Sequence, residues 1–434
     1  MSQAAVPRRR GAAIALTVLA LMLAVGAYAL VGLGKTGKLP VNLALYGSLF
    51  VAGFAGAYLL IRRIAPGADP ALFPIAGVLA GLGFATIFRL DGDLASEQFA
   101  WLAIGLAAFA ITLLVVRDHR QLDAFTYTIG LIGLALLLLP IVPGLGREIN
   151  GARLWIRLGP LQFQPSELGK VFIVVFLASY LNRKKELLEV ATTKVGPVHL
   201  PQAKHLGPLF LAWGVSLAVL FLEKDLGASL LYFAIFVVML WVATARGAYL
   251  TLGVILFAAG AILAYSTFGH VQTRVDVWLH ALDPKVVNDE GYQLAQGEFA
   301  MASGGVAGTG YGLGQPRLIP AASTDFIFAA IGEELGLLGT TALLLLCLAL
   351  VARGFKIALK QTDGFGKLLA TGLSTILGLQ VFIIVGGVTR LIPLTGITLP
   401  FVSYGGSSLL ANFVILALLV RISAGPAPSR KQTG

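Results

Sequence analysis

Residues 323–351 read STDFIFAAIGEELGLLGTTALLLLCLALV, and this segment is the clearest indication of the chain's architecture. Its apolar part is long enough to cross a bilayer, whose hydrocarbon core of about 30 Å needs about 20 helical residues. Yet the stretch opens with Asp325 and carries Glu333 and Glu334 further along. A charge inside a membrane helix costs about 2.5–3.5 kcal/mol on insertion scales, so such residues usually have a function. The stretch therefore predicts a membrane helix with a functional acidic patch.

The rest of the chain shares this apolar character. Of its 434 residues, 57% are hydrophobic and 12% are charged, whereas soluble domains carry about 25% charged residues. The strict alternation that is typical of β-barrels is absent. We therefore predict an all-α, polytopic membrane bundle of about twelve spans. Their expected limits are 14–33, 43–61, 71–89, 99–116, 125–142, 167–181, 207–222, 226–243, 249–268, 326–351, 367–389 and 399–421.

The charge distribution predicts the orientation of these spans. The net charge is +11, and the positive-inside rule accounts for it without a nucleic-acid partner. Basic residues such as Arg10, Arg63 and Lys367 fall on one side, and acids such as Asp91 and Asp325 fall on the other. We expect a multi-pass protein with both termini cytoplasmic and Asp325 outside. Two long outer loops, 143–166 and 269–325, are expected to be functional.

Asp325 has two interpretations. A carboxylate at the outer face can act as a general base toward a hydroxyl nucleophile. An aspartate at the start of a helix can also simply cap its N–H groups.

Glu333 and Glu334 lie about 12 Å below Asp325 on a helix, and their directions differ by about 100°. They are expected either to line a polar cavity or to be structural carboxylates bonded to neighbouring helices.

Residues 150–170 combine cations with an aromatic ring. Arg153 and Arg157 flank Trp155. The arginines are suited to holding a phosphate, although the same residues also anchor a chain at the membrane interface. Glu167 and Lys170 are spaced for an ion pair on one helix face.

Two arginines stand at the ends of predicted spans. Arg89 ends the third and Arg390 ends the eleventh. Each can reach the membrane surface as an anchor, or the two can offer positive charge to an anionic headgroup. The glycines of residues 304–314 do not form a dinucleotide fingerprint, because neither a strand before them nor a helix after them is expected. No histidine or cysteine spacing typical of a metal site is present.

These motifs together resemble the SEDS family (shape, elongation, division and sporulation), which includes RodA and FtsW. The similarity covers residues 71–422 and rests on GARLW (151–155), QPSE (164–167), EKDLG (223–227), DP (283–284), GYQ (291–293), TDFIF (324–328), GEELG (332–336) and LPFVSYGGSS (399–408). The first two predicted spans, 14–61, precede the ten-helix core that the resemblance implies. We therefore divide the chain into an N-terminal part (1–66), a core (67–422) and a disordered cytoplasmic tail (423–434).

The resemblance implies a peptidoglycan glycosyltransferase of the bacterial cytoplasmic membrane. Such an enzyme polymerises lipid II into glycan strands at the outer face, for elongation, shape or division, and releases undecaprenyl pyrophosphate. It pairs with a class B penicillin-binding protein, which is a transpeptidase. A divalent cation, Mg²⁺ or Mn²⁺, is an open candidate for a cofactor, with no protein ligand set identified.

The resemblance also assigns roles to residues. Asp325 takes the place of the essential aspartate in the Thr-Asp-Phe motif. The leaving pyrophosphate needs cations, and the candidates are Arg153, Arg157, Arg89, Arg390 and Lys170. Structural or cavity-lining polar roles fall to Glu167, Glu333, Glu334, Ser403, Tyr404 and Ser407.

The chain departs from the family pattern in places. Arg317, Ala321 and Ser323 stand where many members carry glutamates and a histidine, so no such glutamate assists Asp325. Thr395 replaces a lysine typical of the FtsW branch, which favours the RodA branch. A transporter of lipid-linked precursors (a flippase) and a non-catalytic scaffold of a wall-synthesis complex remain alternative functions.

Overall fold

The computed structural model describes residues 6–149, 152–159, 161–190, 192–195, 198–201 and 207–425. Most of these residues are helical. The α-helices are α1 (Val6–Thr36), α2 (Leu43–Ile64), α3 (Leu72–Leu90), α4 (Gly92–Val115), α5 (Thr126–Leu138), α6 (Pro165–Val190), α7 (Gly207–Glu223), α8 (Leu226–Thr244), α9 (Gly247–Thr267), α10 (Gly269–His280), α11 (Tyr292–Gly304), α12 (Ile327–Lys360), α13 (Gly364–Val388) and α14 (Gly406–Ala424).

The helices confirm the predicted polytopic membrane fold. Within the described ranges, ten helical segments are long and apolar enough to cross a bilayer. They are α1 to α4, α5 with its flanking 3-10 turns, α8, α9 and α12 to α14. The two remaining predicted spans, 167–181 and 207–222, fall on helices α6 and α7. The predicted count of about twelve is therefore approximate.

Two small antiparallel sheets were not predicted from the sequence. The loop at 143–166 forms β1 (Gly146–Ile149), β2 (Ala152–Leu158) and β3 (Leu161–Phe163), in the order β1-β2-β3. A hairpin of β4 (Thr192–Val195) and β5 (Val198–Pro201) follows α6. Asn150 and Gly151, between β1 and β2, lie outside the described residues. The second long loop, 269–325, contains helices α10 and α11.

The chain divides into two compact units. The first contains Met1–Gln121, Gln293–Ile357 and Thr398–Gly434, and the second contains Leu122–Tyr292 and Ala358–Ile397. The sequence-based division at 66 and 422 stays a prediction. Helix α14 runs two residues into the segment that we expected to be a tail, and the Ser423 hydroxyl accepts a hydrogen bond from the Asp69 N–H at 3.0 Å. Residues 426–434 lie outside the described part of the chain.

In the first unit, the N-terminal helices α1 and α2 pack on α3 and α4 through aromatic rings. The Tyr28 ring lies 5.2 Å from the Phe84 ring, and the Tyr46 ring lies 4.8 Å from the Phe99 ring. Both ring pairs are tilted, with interplanar angles of 53° and 51°, and aromatic pairs at such separations contribute about 0.5–1.5 kcal/mol beyond their buried area. Helix α3 is apolar on nearly every side and is therefore almost wholly buried.

Aspartates fix the start of three helices. Asp91 accepts hydrogen bonds from two N–H groups of α4, Asp225 accepts one from the Ala228 N–H of α8, and Asp363 accepts one from the Gly366 N–H of α13. Caps of this kind stabilise a helix by about 0.5–2 kcal/mol. Each therefore sets the point at which the chain leaves a polar loop and enters an apolar span.

Candidate functional site

Helix α12, which follows Asp325, is broken at Gly336. The backbone of Gly336 has φ 64° and ψ −165°, which is outside the helical region. The N–H groups of Leu337 and Leu338 therefore turn away from the helix and bond to the carbonyls of Gly305 and Val306, at 2.9 and 3.1 Å. Buried backbone N–H groups that lose their helical partners need other hydrogen-bond partners, and the carbonyls of the preceding loop provide them here.

The same loop also satisfies the carbonyls that the break leaves free. The Glu333 carbonyl accepts from the Thr309 N–H at 2.9 Å, and the Glu334 carbonyl accepts from the Gly310 N–H at 3.0 Å. We call residues 304–314 the glycine-rich segment. It replaces hydrogen bonds that an unbroken helix would make internally, so its glycines serve close backbone packing in this structure.

Gly308 tests this packing. Its backbone has φ +84°, and a Cβ there would lie 2.2 Å from the Glu334 carbonyl oxygen. Gly305 has φ +53° but nothing within 4 Å of the corresponding position. Both Gly305→Ala and Gly308→Ala incur the left-handed backbone cost of about 1–2 kcal/mol. We expect Gly308→Ala to lower the thermal unfolding midpoint clearly further, because the carbonyl must also move. Equal losses for the two variants would contradict this packing.

Glu334 is paired with Arg89 inside the first unit. Arg89 Nε lies 2.9 Å from Glu334 Oε1, and Arg89 Nη2 donates to the Gly314 carbonyl at 2.7 Å. Glu334 Oε2 accepts from the Gly312 N–H at 2.9 Å. The two side chains are only 10% and 2% exposed. Arg89, a candidate pyrophosphate cation in the sequence, thus already has a partner of opposite charge.

Glu333 points to a different group from Glu334. Its Oε1 accepts from the Gln315 N–H at 2.7 Å, while no hydrogen-bond partner for its Oε2 occurs among the described residues. In the same loop, Tyr311 is partly buried, its hydroxyl lies 3.1 Å from Thr86 Oγ1, and burial raises the pKa of Tyr311. Glu333 bonds to the Gln315 N–H and Glu334 bonds to the Gly312 N–H, so the two carboxylates contact different residues of the loop. This agrees with the expected difference between the directions in which the two side chains leave the helix.

Asp325 lies in a turn just before α12. It is partly exposed, whereas the next residue, Phe326, is completely buried. The Phe326 N–H bonds to the Ala321 carbonyl at 3.2 Å, which closes the turn. The buried Phe326 ring packs beside Gly297 within the first unit, and Asp325 is left partly exposed. A partly exposed aspartate is able to accept a proton from a hydroxyl group that binds beside it.

A second segment of the first unit fixes this turn. The Ser403 hydroxyl donates to the Thr324 carbonyl at 2.7 Å and accepts from the Leu399 N–H at 2.9 Å. The Tyr404 N–H donates to the Ser323 carbonyl at 2.8 Å. The two residues that precede Asp325 are therefore both hydrogen-bonded to residues 403–404. We call these contacts the serine clamp.

Tyr404 links the serine clamp to α4. Its hydroxyl donates to Glu97 Oε2 at 2.5 Å. Burial, followed by this bond and the Glu97 charge, raises the pKa of Tyr404, so the phenol stays protonated. Ser407 is buried in the first turn of α14, beside Ser408, whose hydroxyl accepts from Thr398 at 2.7 Å. Sequence reasoning missed the role of Glu97 because nothing nearby in the chain marks it.

The serine clamp predicts a loss of stability in Ser403→Ala. Its removal leaves the Thr324 carbonyl and the Leu399 N–H without their buried partner, and each unsatisfied group costs about 1–3 kcal/mol. Ser48→Ala is the matched control, because the exposed Ser48 hydroxyl bonds only within its own helix. We expect a lower unfolding midpoint for Ser403→Ala and almost no change for Ser48→Ala. A Ser403→Ala midpoint equal to that of the control would rule the clamp out.

In the second unit, two candidate cations lie on β2. Arg153, Trp155 and Arg157 share one face of the strand, because alternate residues point the same way. Arg153 is 50% exposed and lies 3.8 Å from Glu148, and the exposed Arg157 donates to the Gly159 carbonyl at 2.8 Å. Both guanidinium groups therefore remain open to solvent.

The other candidates of this unit are engaged within the chain. Lys170 Nζ lies 2.5 Å from Glu167 Oε2, and Lys170 is buried. The expected ion pair is therefore present. Arg390 donates from Nε to the Trp278 carbonyl at 3.2 Å and from Nη2 to the Leu279 carbonyl at 3.3 Å. It thereby places positive charge at the carboxyl end of α10, where a helix favours cations.

The structure also contains a buried carboxylate, Glu223, that was not among the predicted site residues. It is 1% exposed, and neither of its carboxylate oxygens has a hydrogen-bond partner among the described residues. Asp225 follows two residues later, and burial raises its pKa, opposed by the Ala228 N–H and by the Arg274 charge. The EKDLG motif was the available signal. In the described part of the chain, no three histidine, cysteine or carboxylate side chains are grouped to hold a metal.

Comparison with known proteins gives the family. The family model described as FTSW_RODA_SPOVE, cell cycle protein, matches residues 83–426. The peptidoglycan glycosyltransferase RodA of Mycobacterium tuberculosis (strain ATCC 25618 / H37Rv) is 46% identical over 431 residues, which cover 96% of this chain and 91% of that protein.

Two solved structures are similar to the chain. One belongs to a peptidoglycan synthase complex that coordinates polymerization and crosslinking, with a TM-score of 0.66, 29% identity and coverage of 82% of this chain and 97% of that one. The other is the rod shape determining protein RodA of Thermus thermophilus, with a TM-score of 0.58, 30% identity and coverage of 82% and 96%. The chain therefore belongs to the FtsW, RodA and SpoVE family of cell cycle proteins, which is the SEDS family, and to its RodA branch.

Proposed function

We propose that the protein is a peptidoglycan glycosyltransferase that polymerises lipid II into glycan strands. The observation that carries this proposal is the position of Asp325, which is partly exposed in a turn held by the serine clamp. A relative named peptidoglycan glycosyltransferase, 46% identical over nearly the whole chain, supports the same reaction class.

Asp325 acts as the general base in this reaction. Its carboxylate removes the proton from the 4-hydroxyl of the acceptor sugar, and the oxygen attacks the anomeric carbon of the donor. The bond from that carbon to the pyrophosphate oxygen breaks, and undecaprenyl pyrophosphate leaves with the electron pair. General-base catalysis of this kind contributes about 100- to 10,000-fold in rate. A single displacement needs one base and inverts the sugar carbon, whereas retention would need a carboxylate nucleophile as well.

Arg153 and Arg157 are the strongest candidates for contacting the pyrophosphate. Both lie on the exposed face of β2. Arg89, Lys170 and Arg390 stay predictions, and each already bonds to a carboxylate or to carbonyls of the chain. An arginine binds phosphate oxygens through two parallel N–H groups, so the two exposed side chains can neutralise the leaving group as its charge develops. A divalent cation that shares this task remains a prediction.

The charge distribution supports an outward-facing Asp325. Basic residues such as Arg62 and Arg353 fall at one set of helix ends, and acids such as Asp91 and Glu97 fall at the other. Under the positive-inside rule the basic ends are cytoplasmic, so both termini lie inside and Asp325 lies outside. The protein is then a multi-pass protein of the bacterial cytoplasmic membrane.

The partner that we propose is a class B penicillin-binding protein, a transpeptidase that cross-links the new strands. The similarity to a chain of a synthase complex that coordinates polymerization with crosslinking supports this pairing. Whether the pair serves elongation or division depends on which transpeptidase it joins.

The test is to incubate the purified chain in detergent with labelled lipid II, alone and with a candidate transpeptidase, and to size the products. A polymerase makes long glycan strands in detergent. A flippase makes none, because detergent has no second leaflet, and a scaffold adds nothing to the products of its partner. Glycan strands that depend on this chain support the proposal, and their absence in both samples contradicts it.

A further inference from the structure

A cavity of about 270 Å³ lies in the first unit, where the N-terminal helices meet the core. Helices α1, α2, α3 and α14 and the connection at 65–70 form its walls. Lining side chains from these helices are Ala13, Tyr58, Ile61, Arg62, Phe73 and Val420. The polymerisation chemistry uses none of these residues. Without α1 and α2, the pocket would lose much of its wall.

The charge in this cavity is positive. Arg62 is exposed and stacks over the Tyr58 ring at 6.0 Å, and among the described residues no carboxylate lies within salt-bridge distance of it. The acid in the lining, Asp69, is already paired with Arg353 at 3.3 Å and accepts from the Ala71 N–H at 3.0 Å. The pocket therefore offers one uncompensated guanidinium beside apolar walls.

The depth of the cavity in the membrane identifies a ligand class. Arg62 stands in the last turn of α2, two residues before this membrane helix ends. That level is where the hydrocarbon core gives way to lipid headgroups. Ala13, Tyr58 and Pro66 supply accessible apolar surface near the guanidinium. Ile61, Phe73 and Val420 are buried and form the wall behind that surface. A ligand that fits has a phosphate attached to an apolar tail.

We propose that this pocket binds the phosphate and glycerol of an anionic phospholipid, with its acyl chains along α1 and α2. Basic pockets between membrane helices on the cytoplasmic side are suited to such headgroups, and the cytoplasmic side is the one proposed above for Arg62. A soluble phosphate would use the guanidinium but leave the apolar wall uncovered. The two additional helices then complete a lipid site, which is separate from glycosyl transfer.

The test compares Arg62→Gln with Arg63→Gln. The two variants remove the same charge one residue apart, but Arg63 does not line the cavity. Native mass spectrometry of the delipidated full chain, titrated with phosphatidylglycerol or with phosphatidylcholine, measures the affinity. We expect Arg62→Gln to weaken phosphatidylglycerol binding about fivefold or more, Arg63→Gln to change it less than about twofold, and phosphatidylcholine to bind weakly throughout. Equal losses in the two variants would show surface attraction only and would overturn the proposal.

A second variant keeps the Arg62 charge and reduces the volume of the cavity. Ala13→Phe adds a ring at the α1 wall of the cavity, so we expect it to weaken phosphatidylglycerol binding while polymerisation continues at the wild-type rate. Inorganic phosphate should not displace the lipid at equal concentration, because it cannot cover the apolar wall. Displacement by inorganic phosphate, or full lipid binding by Ala13→Phe, would refute a phospholipid site. An unfolding midpoint near wild type confirms that each variant is folded.

Discussion

Asp325→Asn is expected to lower the rate of glycan formation by about 100- to 10,000-fold. The amide matches the carboxylate in size and still makes hydrogen bonds, but it cannot take the proton of the acceptor hydroxyl. The turn should survive, because the serine clamp and the buried Phe326 fix it through the backbone and a neighbouring side chain. The measurement is the initial rate of glycan formation from labelled lipid II by the purified protein.

Asp93→Asn is the matched control for this prediction. Asp93 is an exposed aspartate in the first turn of α4, in the same unit as Asp325. Asp93→Asn removes the same charge as Asp325→Asn, so an effect of surface potential alone would lower the rate of glycan formation in both variants. We expect Asp93→Asn to polymerise at the wild-type rate. A normal rate for Asp325→Asn, or an equal fall in both, would remove Asp325 from the role of base.

Arg89→Met is expected to destabilise the protein by about 3–5 kcal/mol, because it leaves the buried Glu334 carboxylate without its countercharge. The change also removes the donor to the Gly314 carbonyl. The glycine-rich segment and the break at Gly336 should loosen together, because Glu334 binds that segment through both its side chain and its carbonyl. A lower unfolding midpoint and faster proteolysis within residues 304–314 are the observables.

A double-mutant cycle separates the pair from general packing loss. In Arg89→Met with Glu334→Gln, no unpaired charge remains, so the double variant should be more stable than the sum of the two single losses implies. Additive losses would mean that the two side chains stabilise the fold independently. An Arg89→Met protein as stable as the wild type would mean that the ion pair contributes nothing to the fold.

Local composition was enough to predict much of the fold. Apolar runs of membrane length identified the helices, including α6 and α7 at the two shortest runs. The location of Asp325 close to the start of a membrane helix followed from the change from a polar loop to an apolar run. These features depend on residues that are separated by no more than about the length of one membrane helix, so their pattern can be recognised in the sequence itself.

Contacts between distant residues could not be predicted in this way. Arg89 and Glu334 are 245 positions apart, and Ser403 and Thr324 are 79 positions apart. The break at Gly336 was not predicted because the apolar pattern continues through it unchanged. The groups that replace the lost helical hydrogen bonds belong to the preceding loop, about 30 residues earlier in the chain. The sheet at 146–163 was missed because its strands are short and stand in a region treated as a loop.

The most direct test of Asp325 as the base is to measure kcat and the apparent KM for lipid II in Asp325→Asn. A group that acts only in the transition state lowers kcat and leaves substrate binding intact. We therefore expect kcat to fall by about 100-fold or more while KM stays within about threefold of wild type. A raised KM with an unchanged kcat would show that Asp325 binds substrate without taking its proton, and would contradict the proposed mechanism.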